Sequence, residues 1–441
     1  MANQNDRIKT LRSLPTIRER CSAVHALATQ DKLQYFTYHP EKEADVVAYC
    51  VKIMKRDYPD FNKIPAHSRW RHFDTRRERI TPLLAQWDNA GVSKREQCAR
   101  LLDLFLVSVL LDAGAGNTWS YKENGGDEQD VYARSEGLAI ASLDMFRAGV
   151  FSNNKDDPCR VDASKLRSLT PETVGEHLQV SSTNPLAGLE GRASLLASLG
   201  NALSQNQDYF GSGRPGGMLD FLENHLTGGE TKSVPIIALW EVVILGLAPI
   251  WPADANSGGR ASLGGVSLGD VWRCESLAES EKSATGGAWG GELAGLVPFH
   301  KLSQWLTYSL VEPLEVLMGW RVSGMGDMTG LPEYRNGGLL VDFGVLSLRR
   351  GALNDNYFPN KGSPIPLLPP SHPAIIEWRA MIVIELDRVA AQIRTAVGTD
   401  LSLPQILEAA TWKGGRQIAK ERRGDKGGGP PIEIESDGTV F

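Results

Sequence analysis

The stretch AIIEWRAMIVIELDRVAAQIRTAV, Ala374 to Val397, sets Ile375, Ile382, Leu386, Val389, Ile393 and Val397 at helical spacing. That phase predicts a long amphipathic helix, whose apolar stripe must be buried against other elements. Segments of the same period lie on both sides. Leu403 to Lys420 follows it, and Pro298 to Leu317 precedes it with Leu302, Trp305, Leu306 and Leu310 on one stripe and His300 and Gln304 on a neighbouring face. Nearer the N-terminus, Ala44 to Lys55, Arg76 to Trp87, Arg134 to Phe151 and Leu186 to Gln205 repeat the spacing. Ser93 opens an S-x-x-E capping box that ends at Glu96, and the Arg95 to Asp112 segment beyond it turns apolar nearly all round, as a central buried helix does. No strand series is long enough for a parallel sheet, and no internal repeat occurs. The expected fold class is mainly α: one large helical domain over residues 1–441, with an N-terminal helical part at 1–112, a second part at 113–441, long ordered loops and few short strands. Asp254 to Gly295, rich in Gly and Ser, reads as a long ordered loop or insertion. NDNYFPNKGSPIPLLPPSHP reads as a proline-punctuated crossing, and the tail as a small hairpin about Ser436 to Gly438 or a surface wrap.

A second stretch, SGMGDMTGLPEYRNGGLLVDFGVL from Ser323 to Leu346, carries the densest chemistry. Thr329 is positioned to cap a helix, Pro332 suits the first turn, and Glu333 there gains from the helix dipole. In an unbroken helix, Asp342 stands nine residues beyond Glu333, on the opposite side. A break at Gly337-Gly338 would alter that relation, since paired glycines weaken a helix. The bland alternative is a capped helix with a solvated first-turn acid.

The net charge of −6 gives no global basic footprint, so nucleic acid is not the expected partner. Five scattered cysteines, never in a CxxC pair, suit reduced thiols better than a disulfide framework. No secretory h-region opens the chain and no apolar run is long enough to span a bilayer, so a cytosolic protein without a membrane partner is expected.

No HExxH, GxSxG, CxxC or strand-borne GxGxxG is present. GSGRPGG at Gly211 to Gly217 lacks the Lys-Ser/Thr pair of a phosphate loop, although Arg214 is suited to an isolated phosphate or carboxylate. No cofactor is expected. A zinc or iron site would have to gather distant ligands such as His300, Cys274, Glu333 and Asp342. Acids beside aromatics and glycines are the recurring feature: Asp112 before Trp119 and Tyr121, Glu241 beside Trp240, Glu333 beside Tyr334 and Arg335, Asp342 beside Phe343. Glu136, near a helix start, reads as a cap partner or pocket acid. Such surroundings suit cleavage of an N-glycosidic bond, where a carboxylate stabilises positive charge on the sugar and a partly desolvated acid protonates the leaving nitrogen.

The strings LLDAGAG with Trp119 and Tyr121, RSEGLAIASLDMF, NPLAGLEGRASLL, TGLPEYRNGGLLVDFGVL and SDGTVF together resemble a family associated with the uracil catabolism (URC) pathway of fungi and bacteria. The likeness spans almost the whole chain. It implies a role in pyrimidine degradation, where a ribosyl-urea-type intermediate must release urea. FHKLSQWLTYSLVEPLE followed by EYRNGGLLVDFGVL also resembles the paired helices of queuosine nucleosidases, which are similar in fold to helix-hairpin-helix DNA glycosylases. An Asp-Tyr-Arg tripeptide holds the nucleoside in that family. Glu333, Tyr334 and Arg335 match it here, with Glu one methylene longer than Asp, and Ser309 stands where the second acid would fall.

The expectation is therefore an N-ribosyl hydrolase of ribosylurea or its phosphate. Glu333 and Asp342 are its carboxylates, and Arg335 orients the sugar or a phosphate. Asp112, Trp119, Tyr121, Glu136, Trp240, His300 and Tyr334 are the remaining candidates for binding. The rivals are a metal-dependent amidohydrolase of a ureido C–N bond using His300, Glu333 and Asp342, and a non-catalytic scaffold of the same pathway.

Overall fold

The structure is a computed structural model that describes residues 3–116, 118–125, 127, 129–251, 258–282, 289–359, 364–424 and 427–435. The fold is mainly α. Among the described residues the strands form six separate two-stranded pairs and no larger sheet. Contacts gather the chain into two compact units: one holds the chain up to His67, from 258 to Lys301 and from Gly326 to Glu435, the other Ser68–Trp251 and Leu302–Met325.

The first unit is built round the Pro373–Val397 helix, which packs on Leu14–Ala28 and Glu43–Asp57. His372 caps its start by accepting the Ala374 amide at 3.1 Å, Pro373 occupies its first turn, and Gly398 ends it in the left-handed region at φ 66°. Burial extends beyond the predicted stripe to Trp378, Met381 and Val383, so the helix is enclosed on more than one face.

The Tyr334–Asp342 helix runs unbroken through Gly337-Gly338. A Cβ on Gly337 would lie 2.4–2.7 Å from Ile382 and Trp378, and one on Gly415 would lie 2.0 Å from the Arg335 carbonyl oxygen. The glycines thus permit close approach to the Pro373–Val397 and Trp412–Arg423 helices, and the break they suggested in the sequence does not occur.

The Gly- and Ser-rich segment is not a plain loop. Ser262–Leu263 pairs with Val266–Ser267, Val271–Arg273 pairs antiparallel with Leu296–Pro298, and Glu275–Lys282 is helical. Gly264 and Gly265, at φ 56° and 79°, make the two-residue turn that needs positive φ at both positions. Leu263, Leu268, Val271, Leu293 and Leu296 close a small core with Ile8 and Leu11. Phe36–Tyr38 pairs antiparallel with Leu346–Leu348, and Leu367–Leu368 pairs parallel with Glu433–Ile434. The tail hairpin expected at Ser436 to Gly438 lies outside the described residues.

In the second unit, Lys94–Leu110 is the central helix. Ser93 accepts the Glu96 amide at 3.2 Å, and every residue from Gln97 to Leu110 except Arg100 is buried. It packs on Arg134–Arg147, while Leu189–Gln205 packs on Ala163–Arg167. The helix expected from Arg76 begins later and spans Ile80–Asn89. Arg76 takes φ 61°, and the Asp74 carboxylate accepts the amides of Arg79 and Ile80 at 2.6 and 3.0 Å, which fixes the later start. Among the described residues no helix is long and apolar enough to cross a membrane.

Candidate functional site

In the first unit the candidate site is organised by Asp270, which is fully buried. Its carboxylate accepts Arg379 Nη1 and Nη2 at 2.8 and 2.7 Å, Trp272 Nε1 at 2.6 Å and the Lys301 amide at 2.8 Å. Burial by itself would raise this carboxyl, but Arg379, the indole and the amide together hold it well below the usual carboxylate range. The arrangement fixes three neighbours. Lys301 starts its helix, His300 is held at φ 47°, and Arg379 places Nε 3.4 Å from the Pro332 carbonyl, immediately before Glu333.

Glu333 is itself the N-cap of the Tyr334–Asp342 helix. Its Oε2 accepts the Arg335 amide and its Oε1 the Asn336 amide, each at 2.7 Å. The cap expected at Thr329 is therefore four residues too early. Pro332 precedes the cap, and the Thr329 hydroxyl donates to the Gly330 carbonyl at 3.0 Å. Glu333 is only 8% exposed. Burial pushes its carboxyl up, against the two amides and the nearby cations Lys301 and Arg335. Each oxygen keeps a further lone pair beyond the amide it accepts. Arg335 Nη1 donates to the Gly428 carbonyl at 3.0 Å, and its guanidinium lies 5.0 Å from the Tyr334 ring centre.

Asp342 lies at the other end of that helix, about 13 Å along the axis at 1.5 Å per residue. Arg423 grips both its oxygens, at 2.7 and 2.6 Å, and so joins the helix to Trp412–Arg423. The helix does not bring Glu333 and Asp342 together. His300 Nε2 donates to the Leu11 carbonyl at 2.9 Å, and burial lowers its pKa, which favours the neutral ring. Cys274 Sγ is 3.3 Å from Ser276 Oγ, and burial raises the thiol to about 11. Among the described residues no three His, Cys, Asp or Glu side chains gather as a metal-ligating group, so the ligand set of His300, Cys274, Glu333 and Asp342 is not assembled.

The remaining candidates belong to the second unit. Asp112 Oδ2 is 2.7 Å from Nη1 of the fully buried Arg69, and its buried Oδ1 accepts no hydrogen bond among the described residues. Arg69 also donates to the Ser108 hydroxyl at 2.8 Å, and Arg192 clasps the carbonyls of Leu111 and Ala113 at 3.0 and 2.6 Å. The loop at this helix end is therefore held by two buried guanidinium groups. Trp119 and Tyr121, each 1% exposed, stack at 6.5 Å. Their polar ends turn to the Leu178 carbonyl and to Asp144, at 2.9 Å each. Glu136 lies in the first turn of Arg134–Arg147, where Arg134 takes φ 55°. Trp240 is buried, and Glu241 accepts the Tyr209 hydroxyl at 3.0 Å. Arg214 holds carboxylates, Asp103 at 2.6 Å and Glu96 at 2.9 Å.

Sequence reasoning missed Asp270, Arg379, Lys301, Arg69 and Arg192. Two signals were available. An acid follows a glycine in LGDVWRC, and Arg379 interrupts an apolar helix, where a charge demands a buried partner.

The family described as "Protein of unknown function (DUF1688)" matches residues 10–441. The chain is 40% identical over 447 residues to "Uracil catabolism protein 4" of Lachancea kluyveri, covering 98% of this chain and 99% of that protein. It is also 40% identical over 441 residues to "Protein urg3" of Schizosaccharomyces pombe, with the same coverage. With a match of this extent to the family and to two full-length relatives, the chain belongs to the DUF1688 family.

Proposed function

We propose that this protein acts in uracil catabolism by hydrolysing the N-glycosidic bond of ribosylurea or its phosphate, releasing urea. The observation that carries the pathway is the end-to-end 40% identity with Uracil catabolism protein 4. For the chemistry, Glu333 offers a buried carboxyl whose pKa is raised by its surroundings, as a general acid requires. In the proposed step the C1′–N bond breaks, its electron pair stays on nitrogen, and Glu333 gives that nitrogen its proton. Water then adds hydroxyl to C1′ and returns a proton to the Glu333 carboxylate, leaving the free sugar and urea. Ionised Glu333 stabilises the oxocarbenium ion between the two events. Arg335 orients the sugar or its phosphate, and Asp342, tied to Arg423, holds the helix.

Growth on uracil as sole nitrogen source, in a strain lacking its own copy, tests this reading. Wild type is expected to restore growth, and Glu333→Gln, present at equal abundance, is expected to restore it only when urea is supplied. Growth of the variant on uracil alone contradicts the assignment and favours a scaffold role.

A further inference from the structure

A second set of buried acids, unused above, joins three helices and a strand of the first unit. Glu385, on Pro373–Val397, is fully buried, and the groups that face its carboxylate are His25, Tyr38, Glu43 and Arg388. His25 Nε2, from Leu14–Ala28, stands 3.2 Å from Glu385 Oε1 and 3.3 Å from the Tyr38 hydroxyl. Tyr38 has a single hydroxyl hydrogen, which goes to Glu43 Oε1 at 2.7 Å. Among the described residues Arg388 at 2.9 Å and Gln392 at 2.6 Å are the further partners of Glu43, whereas Arg388 is 3.8 Å from Glu385.

Two carboxylates thus share one arginine, and one negative charge is left over unless the cluster holds another proton. An uncompensated buried carboxylate is strongly unfavourable. We propose that Glu385, His25, Tyr38 and Glu43 form a proton-binding switch, with one proton held between Glu385 and His25 that clamps the central helix to its neighbours. Loss of the proton at rising pH loosens the clamp.

The effect has a short route to the loop before Glu333. Leu386 lies under Gly330, where a Cβ would meet it at 2.5–2.6 Å. Asp387 holds Arg18 at 2.8 Å, and Arg18 donates to the carbonyls of Gly326, Asp327 and Met328 at 2.9, 3.0 and 2.6 Å. Three consecutive residues of one helix therefore link the proton cluster to the 326–330 segment.

Burial pushes the Glu385 carboxyl up and Glu43 adds to the rise, while His25 and Tyr38 offset part of it. A raised folded value means the stabilisation is present below the unfolded carboxyl value of about 4.3 and lost as pH rises through the folded value. The test is denaturant unfolding from pH 5 to 9 of wild type, Glu385→Gln and His25→Gln, with hydrogen exchange of the 326–333 amides. For wild type, the unfolding constant relative to Glu385→Gln is expected to rise up to about tenfold per pH unit across the transition. The 326–333 amides are expected to lose protection over the same range in wild type alone. His25→Gln is expected to move the midpoint. A wild-type pH profile in either folded variant overturns the proposal. So does wild-type unfolding that exchanges no proton across this range, a measurement that needs no variant.

Discussion

Single side chains differ here in how their buried charges are satisfied. Asp270 has four donors, and removing the Arg379 guanidinium would leave its charge largely uncompensated. Breaking such a pair costs about 3–5 kcal/mol, so Arg379→Met is expected to unfold at markedly lower denaturant concentration than wild type. The pH dependence follows from the depressed Asp270 carboxyl. Its contribution is present above the unfolded value of about 3.9 and lost as pH falls through the lower folded value. Circular dichroism from pH 2 to 7 should show Arg379→Met losing structure at higher pH than wild type; coincident acid transitions would refute the role given to the pair. For the two carboxylates of the Tyr334–Asp342 helix the outcomes should separate. Glu333→Gln is expected to lower kcat at least about 100-fold with a stability loss of about 1 kcal/mol. Asp342→Asn is expected to lose stability and keep its activity per folded molecule. Equal loss of kcat in the two would contradict the division of labour. That Glu333 stands near a helix start was legible in sequence, because glycines and a proline frame it. Asp270 and Arg379 were not, since the partners are 109 residues apart and an arginine in a helix carries no mark of what it faces.

At the level of elements, glycine decides more than propensity does. In an open helix, Gly→Ala stabilises by up to about 1 kcal/mol. At Gly337 the added methyl meets Trp378 and Ile382 at 2.4–2.7 Å, so Gly337→Ala is expected to destabilise by about 1–3 kcal/mol, measured by urea unfolding. A stabilised Gly337→Ala would show that the helices are not in close contact there. The Ala374 to Val397 helix was readable within one residue of its observed start because many apolar positions report one period. The Leu263–Val266 turn was not, because two glycines in a Gly- and Ser-rich stretch signal a linker as readily as a hairpin. Helix starts at Ile80 and Tyr334 were misplaced for a shared reason. In both, a carboxylate side chain, Asp74 or Glu333, reaches the first amides, and the sequence offered several acids and hydroxyls able to do so.

For the whole molecule, the mainly helical fold follows from the number of amphipathic segments, and family membership from near full-length similarity. Neither states which bond is broken. In the proposed reaction a buried glutamate at a glycine-framed helix start delivers a proton to a leaving ureido nitrogen. Urea released from ribosylurea and from its 5-phosphate by the purified full-length protein measures this directly. Urea and free sugar are expected in equal amounts with at least one of the two substrates, with release at least about 100-fold slower by Glu333→Gln. No urea from either substrate, with or without added divalent metal, or undiminished release by the variant, would contradict it.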